Sequence, residues 1–240
     1  PVIIHEQNAV AGTANRLLVP MTSRVCEAFP GTFTASDTLR STGNPVRPEL
    51  FTLAPRAPLE GRKARLLVLG GSLGAEPLNK LLPEALALVP ADIRPEVFHQ
   101  AGKQHDQITA ERYVAVGVEA DVQPFIKDMA HAYGWADLVV CRAGALTVSE
   151  LAAAGLPSLL VPLPHALDDH QSRNADFLAR EGAAFLMPQA TTGAAELAAR
   201  LTEVLMQPER LNSMAANARR LAKPDATRNV VDICLEVANG

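Results

Sequence analysis

From Ala64 to Pro188, short apolar runs alternate with stretches whose apolar positions recur every three or four residues. The runs are "RLLVLG", "EVFHQAG", "VEADVQPFI", "DLVVC", "PSLLVPL" and "AAFLMP". The stretches between and after them include "NKLLPEALALV", "DQITAERYVA", "KDMAHAYGWA", "ALTVSELAAAG", "DDHQSRNADFLAREG" and "GAAELAARLTEVLMQ". Near-continuous apolar runs suit strands covered on both faces, and their alternation with helices predicts a parallel sheet between two helical layers. Six such units predict one complete Rossmann-like, doubly wound α/β domain over residues 64–240. Two further helical stretches close the chain, "ERLNSMAANARRLA" and "TRNVVDICLEVA", parted by Pro224 and Asp225. The last is expected to pack away from its own sheet, back on the N-terminal part.

Ahead of this domain, "VIIHEQN", "AGTANRLLVPMTS" and "RVCEAFP" read as strand, helix and strand. The segment "GTFTASDTLRSTGNPVRPEL" then has the Gly, Pro, Ser and Thr density of a connection. Residues 1–42 are thus expected to be the tail of a preceding α/β domain, and 43–63 a linker. A chain that opens on Pro1 and runs straight into a buried strand is expected to lack an N-terminal part.

Composition narrows the class. With 240 residues, 48% hydrophobic and 20% charged, the chain can bury a core without covalent staples. Cys26, Cys141 and Cys234 lie far apart with no Cys-x-x-Cys or Cys/His spacing, which argues against a disulfide framework or a zinc site. A formal charge of −4 without a dense Lys/Arg run argues against nucleic acid as a partner. Neither a long apolar span nor a signal-peptide pattern is present, so no membrane-spanning segment is predicted and surface association stays open.

The candidate chemistry sits at the turns after the strands. "VLGGSLGAEPLN" sets Gly70, Gly71 and Gly74 around Ser72 before a helix, a geometry as well suited to an anion as to a plain tight turn. It matches neither G-x-G-x-x-G nor a P-loop. Pro124, Phe125 and Ile126 end the third strand, where the Ile126 backbone can meet a flat base. In "CRAGALTVSELAAAG", Gly144 makes the exit from the fourth strand. Thr147 and Glu150 resemble a capping box, the cheaper reading for Thr-x-x-Glu alone. Were a nucleotide bound there, Glu150 would suit neutral ribose hydroxyls, and backbone N–H groups the phosphates. "VPLPHALDDHQSRN" gathers His165, Asp168, Asp169, His170, Gln171 and Asn174. A helix cap at Asp168 or Asp169 explains it better than a metal, and Gln171 can offer a hydroxyl-rich ligand both a donor and an acceptor. "GNPVR" places Arg47 at the domain boundary, and "HEQN" brings His5, Glu6 and Asn8 to the end of the first strand.

Together, "HEQNAVAGTANRLL", "GNPVR", "VLGGSLGAEPLN", the stretch from Pro124 to Ala175 and the closing "PDATRNV" resemble the MurG family of peptidoglycan N-acetylglucosaminyltransferases over nearly the whole chain. The resemblance implies a GT-B fold: one complete Rossmann-like domain and the tail of a second. It implies inverting transfer from UDP-N-acetylglucosamine to lipid I, giving lipid II, with no metal or other cofactor, by a peripheral enzyme on the cytoplasmic face of the bacterial inner membrane. It further implies Ser72 at the diphosphate, the Ile126 backbone at uracil, and Ala145, Leu146, Thr147, Val148, Ser149 and Glu150 around phosphate and ribose. Arg47 would face the phosphates, and Gln171 and Asn8 the sugar. The family's opening G-G-T-G-G-H loop, with its candidate base, is absent here, along with the acceptor-binding and membrane-touching part around it. His5 and Glu6 are weak substitutes as the base. The alternatives are a UDP-sugar-binding module without turnover and, less favoured, a UDP-sugar 2-epimerase.

Overall fold

The computed structural model describes residues 1–71, 74–164 and 169–239. A small sheet opens the chain: β1 (Ile3–Glu6), β2 (Arg24–Glu27) and β3 (Leu39–Ser41), all parallel, in the order β1-β2-β3. Helix α1 (Thr13–Leu18) lies between the first two strands. The third strand falls in the segment whose Gly, Ser and Thr content predicts a connection. It forms because β2 offers it an edge, with Val25, Cys26 and Glu27 in register with Leu39, Arg40 and Ser41.

The second sheet holds β4 (Arg65–Leu69), β5 (Glu96–Gln100), β6 (Asp121–Gln123), β7 (Leu138–Cys141), β8 (Ser158–Leu160) and β9 (Ala184–Leu186). They are parallel throughout, in the order β6-β5-β4-β7-β8-β9. Between and after them come α2 (Glu76–Leu88), α3 (Asp106–Ala115), α4 (Met129–Trp135), α5 (Ala145–Ala154), α6 (His170–Ala179), α7 (Ala194–Leu205), α8 (Pro208–Arg220) and α9 (Ala226–Asn239). Strand alternation sorts the core into two layers. Leu67, Leu69, Val139, Cys141 and Leu160 pack with α4, α5 and α6 on one face, and Leu66, Val68, Leu138, Val140 and Leu159 with α2 and α7 on the other. Each fully buried Leu or Val contributes about 1.5–3 kcal/mol, which explains why every residue of "LVVC" is apolar.

The connection between the sheets is firmly held. Arg62 grips Asp137 through two nitrogens, at 2.6 and 2.8 Å, and the Asp137 carboxylate also accepts from the Arg65 amide at 2.9 Å. Pro48–Thr52 forms a 3-10 helix against α4 and α5. At the crossing point Gly43 has φ +83°, and a side chain there would come within 2.6 Å of Lys223. Across the junction, Phe29 meets Phe177 edge-on, with ring centroids 4.9 Å apart. Helix α9 returns to β2, where Arg24 pairs with Glu236.

A buried polar relay braces the start of α2. Asn79 donates to the Ala101 carbonyl at 2.9 Å, which leaves its Oδ1 to accept from His99 Nε2 at 3.1 Å. His99 Nδ1 therefore accepts from the Tyr113 hydroxyl, at 2.9 Å. Burial pushes the imidazole down from 6.5 to about 3. Between those two values the unfolded chain takes up a proton that the folded chain refuses, so stability falls as pH drops through this window, by at most about 1.4 kcal/mol per unit. Urea unfolding at pH 7, 6 and 5 is expected to show this decline. His99→Gln is expected to be less stable at pH 7 but to lose this part of the slope.

Candidate functional site

The strand order reverses between β4 and β7, and beyond their carboxyl ends a cavity of about 250 Å³ opens. Its lining includes Gly71 after β4, Gln100 from β5, Phe125 and Ile126 after β6, Gly144 after β7, and Arg47 from the connection. Gly74 closes the first turn at φ +78°, where a Cβ would stand 2.2 Å from the Ala101 carbonyl oxygen; only glycine fits there. Ser72 lies outside the described residues, as do His165 and Asp168.

Helix α5 supplies the cavity's polar wall. Its N-cap is Gly144, which carries no side chain to cap the first-turn N–H groups, and the first turn holds no acid. The capping-box reading of Thr147 and Glu150 is thereby corrected. Thr147 sits three residues inside the helix, and the Glu150 carboxylate turns elsewhere. Gly144, Thr147 and Glu150, spaced by three, share the face toward the cavity. The run 145–150 does not act as a unit. Val148 is fully buried in the core, Leu146 is exposed, and Ser149 donates to the Ala145 carbonyl and accepts from Asn44 at 3.1 Å.

Glu150 is the charged centre of the site. Its side chain is 16% exposed; Oε1 accepts from Arg47 at 2.9 Å and Oε2 from the Tyr133 hydroxyl at 3.0 Å. Burial raises its carboxyl above the ordinary glutamate value, an effect that Tyr133 and Arg47 offset only in part. Tyr133, itself buried, carries no signal of this in the sequence, because its i+17 relation to Glu150 exists only once α4 lies beside α5.

Three amides hold the strand ends around the cavity. Gln100 Oε1 accepts from the Ile126 amide at 3.1 Å, so the Ile126 N–H is engaged by the protein itself. Gln171 Oε1 accepts from the amides of Ala143 at 3.3 Å and Leu163 at 2.9 Å. Asn174, fully buried, donates to the Ala143 carbonyl and to Asn8 Oδ1 and accepts from the Ala9 amide at 2.8 Å. Arg142 is directed to the carbonyls of Val161 and Pro162 and to Gln189. Asp169 stands at the N-cap position of α6 with φ 51°, and its carboxylate accepts from Ser172.

The weak base candidates have structural duties. Burial alone would raise the Glu6 carboxyl. Hydrogen bonds from the Asn8 and Gly12 amides and the Asn15 and Asn8 side chains outweigh it and hold the group below the ordinary value. A buried carboxylate with four donors is a poor proton acceptor, so Glu6 is a loop brace rather than a base. His5 Nε2 lies 3.1 Å from the Gly43 carbonyl, a contact that pins the connection.

Residues 65–230 match the glycosyltransferase family 28 C-terminal domain. Over all 240 residues the chain is 81% identical to the UDP-N-acetylglucosamine--N-acetylmuramyl-(pentapeptide) pyrophosphoryl-undecaprenol N-acetylglucosamine transferase of Pseudomonas fluorescens SBW25, and covers 67% of that protein. The chain belongs to the MurG glycosyltransferases of family 28. The like-named enzyme of Pseudomonas putida W619 is 80% identical over the same span. Among solved structures, Acinetobacter baumannii MurG superposes with a TM-score of 0.86 at 44% identity, covering 98% of this chain and 68% of that one. The kitacinnamycin glycosyltransferase, at 19% identity and a TM-score of 0.62, shares the fold alone, over 90% of this chain and 55% of its own. Membership of the MurG group agrees with the GT-B architecture. Among the described residues, no helix is long and apolar enough to cross a membrane.

For a MurG-type chain the positions of the amide side chains have a measurable consequence. Gln171→Ala leaves the Ala143 and Leu163 amides without their shared acceptor, and Ala143 is buried. A loss of about 1–2 kcal/mol in urea unfolding is expected, in addition to any change in ligand affinity.

Proposed function

We propose that the chain binds UDP-N-acetylglucosamine in the switch-point cavity and supplies the donor half of an inverting transfer to lipid I, giving lipid II, peripherally at the cytoplasmic face of the inner membrane. The observation that carries this is the α5 N-terminus, uncapped at Gly144 and open to the cavity, with Arg47 at the rim. Backbone donors at Ala145, Leu146 and Thr147, the helix dipole and the Arg47 guanidinium meet the diphosphate. These groups stabilise the charge that grows on UDP as the glycosidic bond breaks.

Glu150 takes the ribose hydroxyls. A buried carboxylate beside a diphosphate would repel it, whereas neutral hydroxyls can donate to its oxygens. The base meets the carbonyl of Ile126, since the amide of that residue is engaged by Gln100. The sugar lies toward Gln171, through its amide nitrogen, and toward Asn8, which reaches α6 through Asn174. The acceptor hydroxyl and the base that activates it come from across the cleft.

Calorimetric titration tests the reading. UDP-N-acetylglucosamine and UDP are expected to bind, and ADP-glucose and NAD to bind far more weakly. Equal affinity for all four would sink the assignment. Glu150→Ala is expected to weaken UDP and UDP-N-acetylglucosamine alike, because ribose is common to both. In the parent, binding is expected to fade on acidification at a pH above that of an ordinary glutamate, since the raised carboxyl loses its charge there.

A further inference from the structure

Tyr133 is buried by its ring, which packs in the core layer with Leu50, Ala152 and Leu156, and this accounts for an aromatic residue at the position. It does not account for the hydroxyl. That hydroxyl donates to Glu150 Oε2 at 3.0 Å, while Arg47 donates to Oε1 at 2.9 Å. Each carboxylate oxygen is thus pinned by a different element, and each keeps acceptor capacity for a further donor. We infer that Tyr133 is a positioning residue for nucleotide recognition: its hydroxyl orients the Glu150 carboxylate so that the free lone pairs face the ribose hydroxyls of a bound uridine diphosphate.

The inference rests on the reading of the cavity given above and deepens it. The groups that act on Glu150 are Arg47 and Glu49 from the connection and Tyr133 from α4. Cys141 and Arg142 at the end of β7 line the same cavity, with Cys141 facing Tyr133 and Arg142 directed to Val161, Pro162 and Gln189. Burial and Glu49 disfavour its charge, and Tyr133 and Arg47 favour it. The two supports differ in character. The Arg47 side chain is 50% exposed, so salt and solvent screen its hold. Tyr133 is fully enclosed, and burial pushes its phenol well above the ordinary value, so it remains a neutral donor across the whole working pH range. A donor of this kind keeps the carboxylate aimed when a diphosphate arrives and competes for Arg47.

Tyr133→Phe deletes one oxygen and keeps the ring, so urea unfolding near that of the parent is expected. UDP is titrated calorimetrically from pH 5 to 8 into the parent, Tyr133→Phe, Glu150→Gln and the double variant. Tyr133→Phe is expected to bind UDP roughly tenfold more weakly at pH 7, the loss appropriate to a hydrogen bond onto a charged group. Its affinity is expected to fade at a higher pH than in the parent, because the ionised carboxylate has lost a donor. The preference for UDP over 2′-deoxy-UDP is expected to shrink, and in the Glu150→Gln background the change is expected to add little. Parent-like affinity in Tyr133→Phe would overturn the inference while leaving the site intact. So would a uniform loss at every pH with unchanged ribose discrimination, which would mark a packing residue. Absence of UDP binding by the parent would remove the reading of the cavity itself, and the inference with it.

Discussion

A parallel sheet covered by helices on both faces leaves polar chemistry no place except beyond its strand ends, and the rest of this molecule is arranged around that constraint. The central strands β4, β7 and β8 contribute fully buried residues to both core layers. Their hydrogen-bonding groups find partners within the ladder until the strands stop. There the chain must supply donors and acceptors from side chains. Gln100, Gln171, Asn174 and Arg142 do so at successive strand ends. At Gly144 no side chain does, and the first-turn donors of α5 are left for something else. The candidate site lies where those open donors meet the cavity lined by Gly144, Thr147 and Glu150.

The junction between the two sheets turns this half-site into a pocket. Asn44 reaches from the connection to Gln7 and Ser149, and Asn174 reaches from α6 to Asn8 and Ala9. Both asparagines bridge segments more than 100 residues apart in the chain. Asn44 holds the connection against α5 and so brings Arg47 to the turn where backbone donors are open, while Asn174 ties the loop after β1 to α6. Arg47 and the helix N-terminus border the same volume, the arrangement on which the proposed diphosphate binding rests. Within that volume Glu150 is at once a partner for Arg47 and a candidate ligand for hydroxyls. A ligand that draws Arg47 toward phosphate leaves Glu150 needing its second support.

Much of this was legible in the chain. The apolar runs of four or five residues, the turn glycines and the breakers near Pro224 carry local information, and local information sets strands, helices and their order. The third strand of the small sheet escaped notice because "LRS" has no apolar pattern; it is a strand only because β2 presents an open edge. The capping box failed for a related reason. Thr-x-x-Glu is the right spacing for a cap, but α5 already starts at Gly144, one turn earlier, and Glu150 finds its partners in Arg47 and Tyr133.

The sequence by itself determined that a doubly wound domain would form, and that its fourth turn would bring a glycine, a threonine and a glutamate to the start of a helix, because these follow from residue type and spacing. Tertiary structure alone decided which of those groups work together. Tyr133, Gln100, Asn174 and Asn44 acquire their roles from neighbours that are distant in the chain. Hydrogen-bond geometry between such neighbours depends on how the helices and sheets pack, which no local pattern of hydrophobic and polar residues encodes.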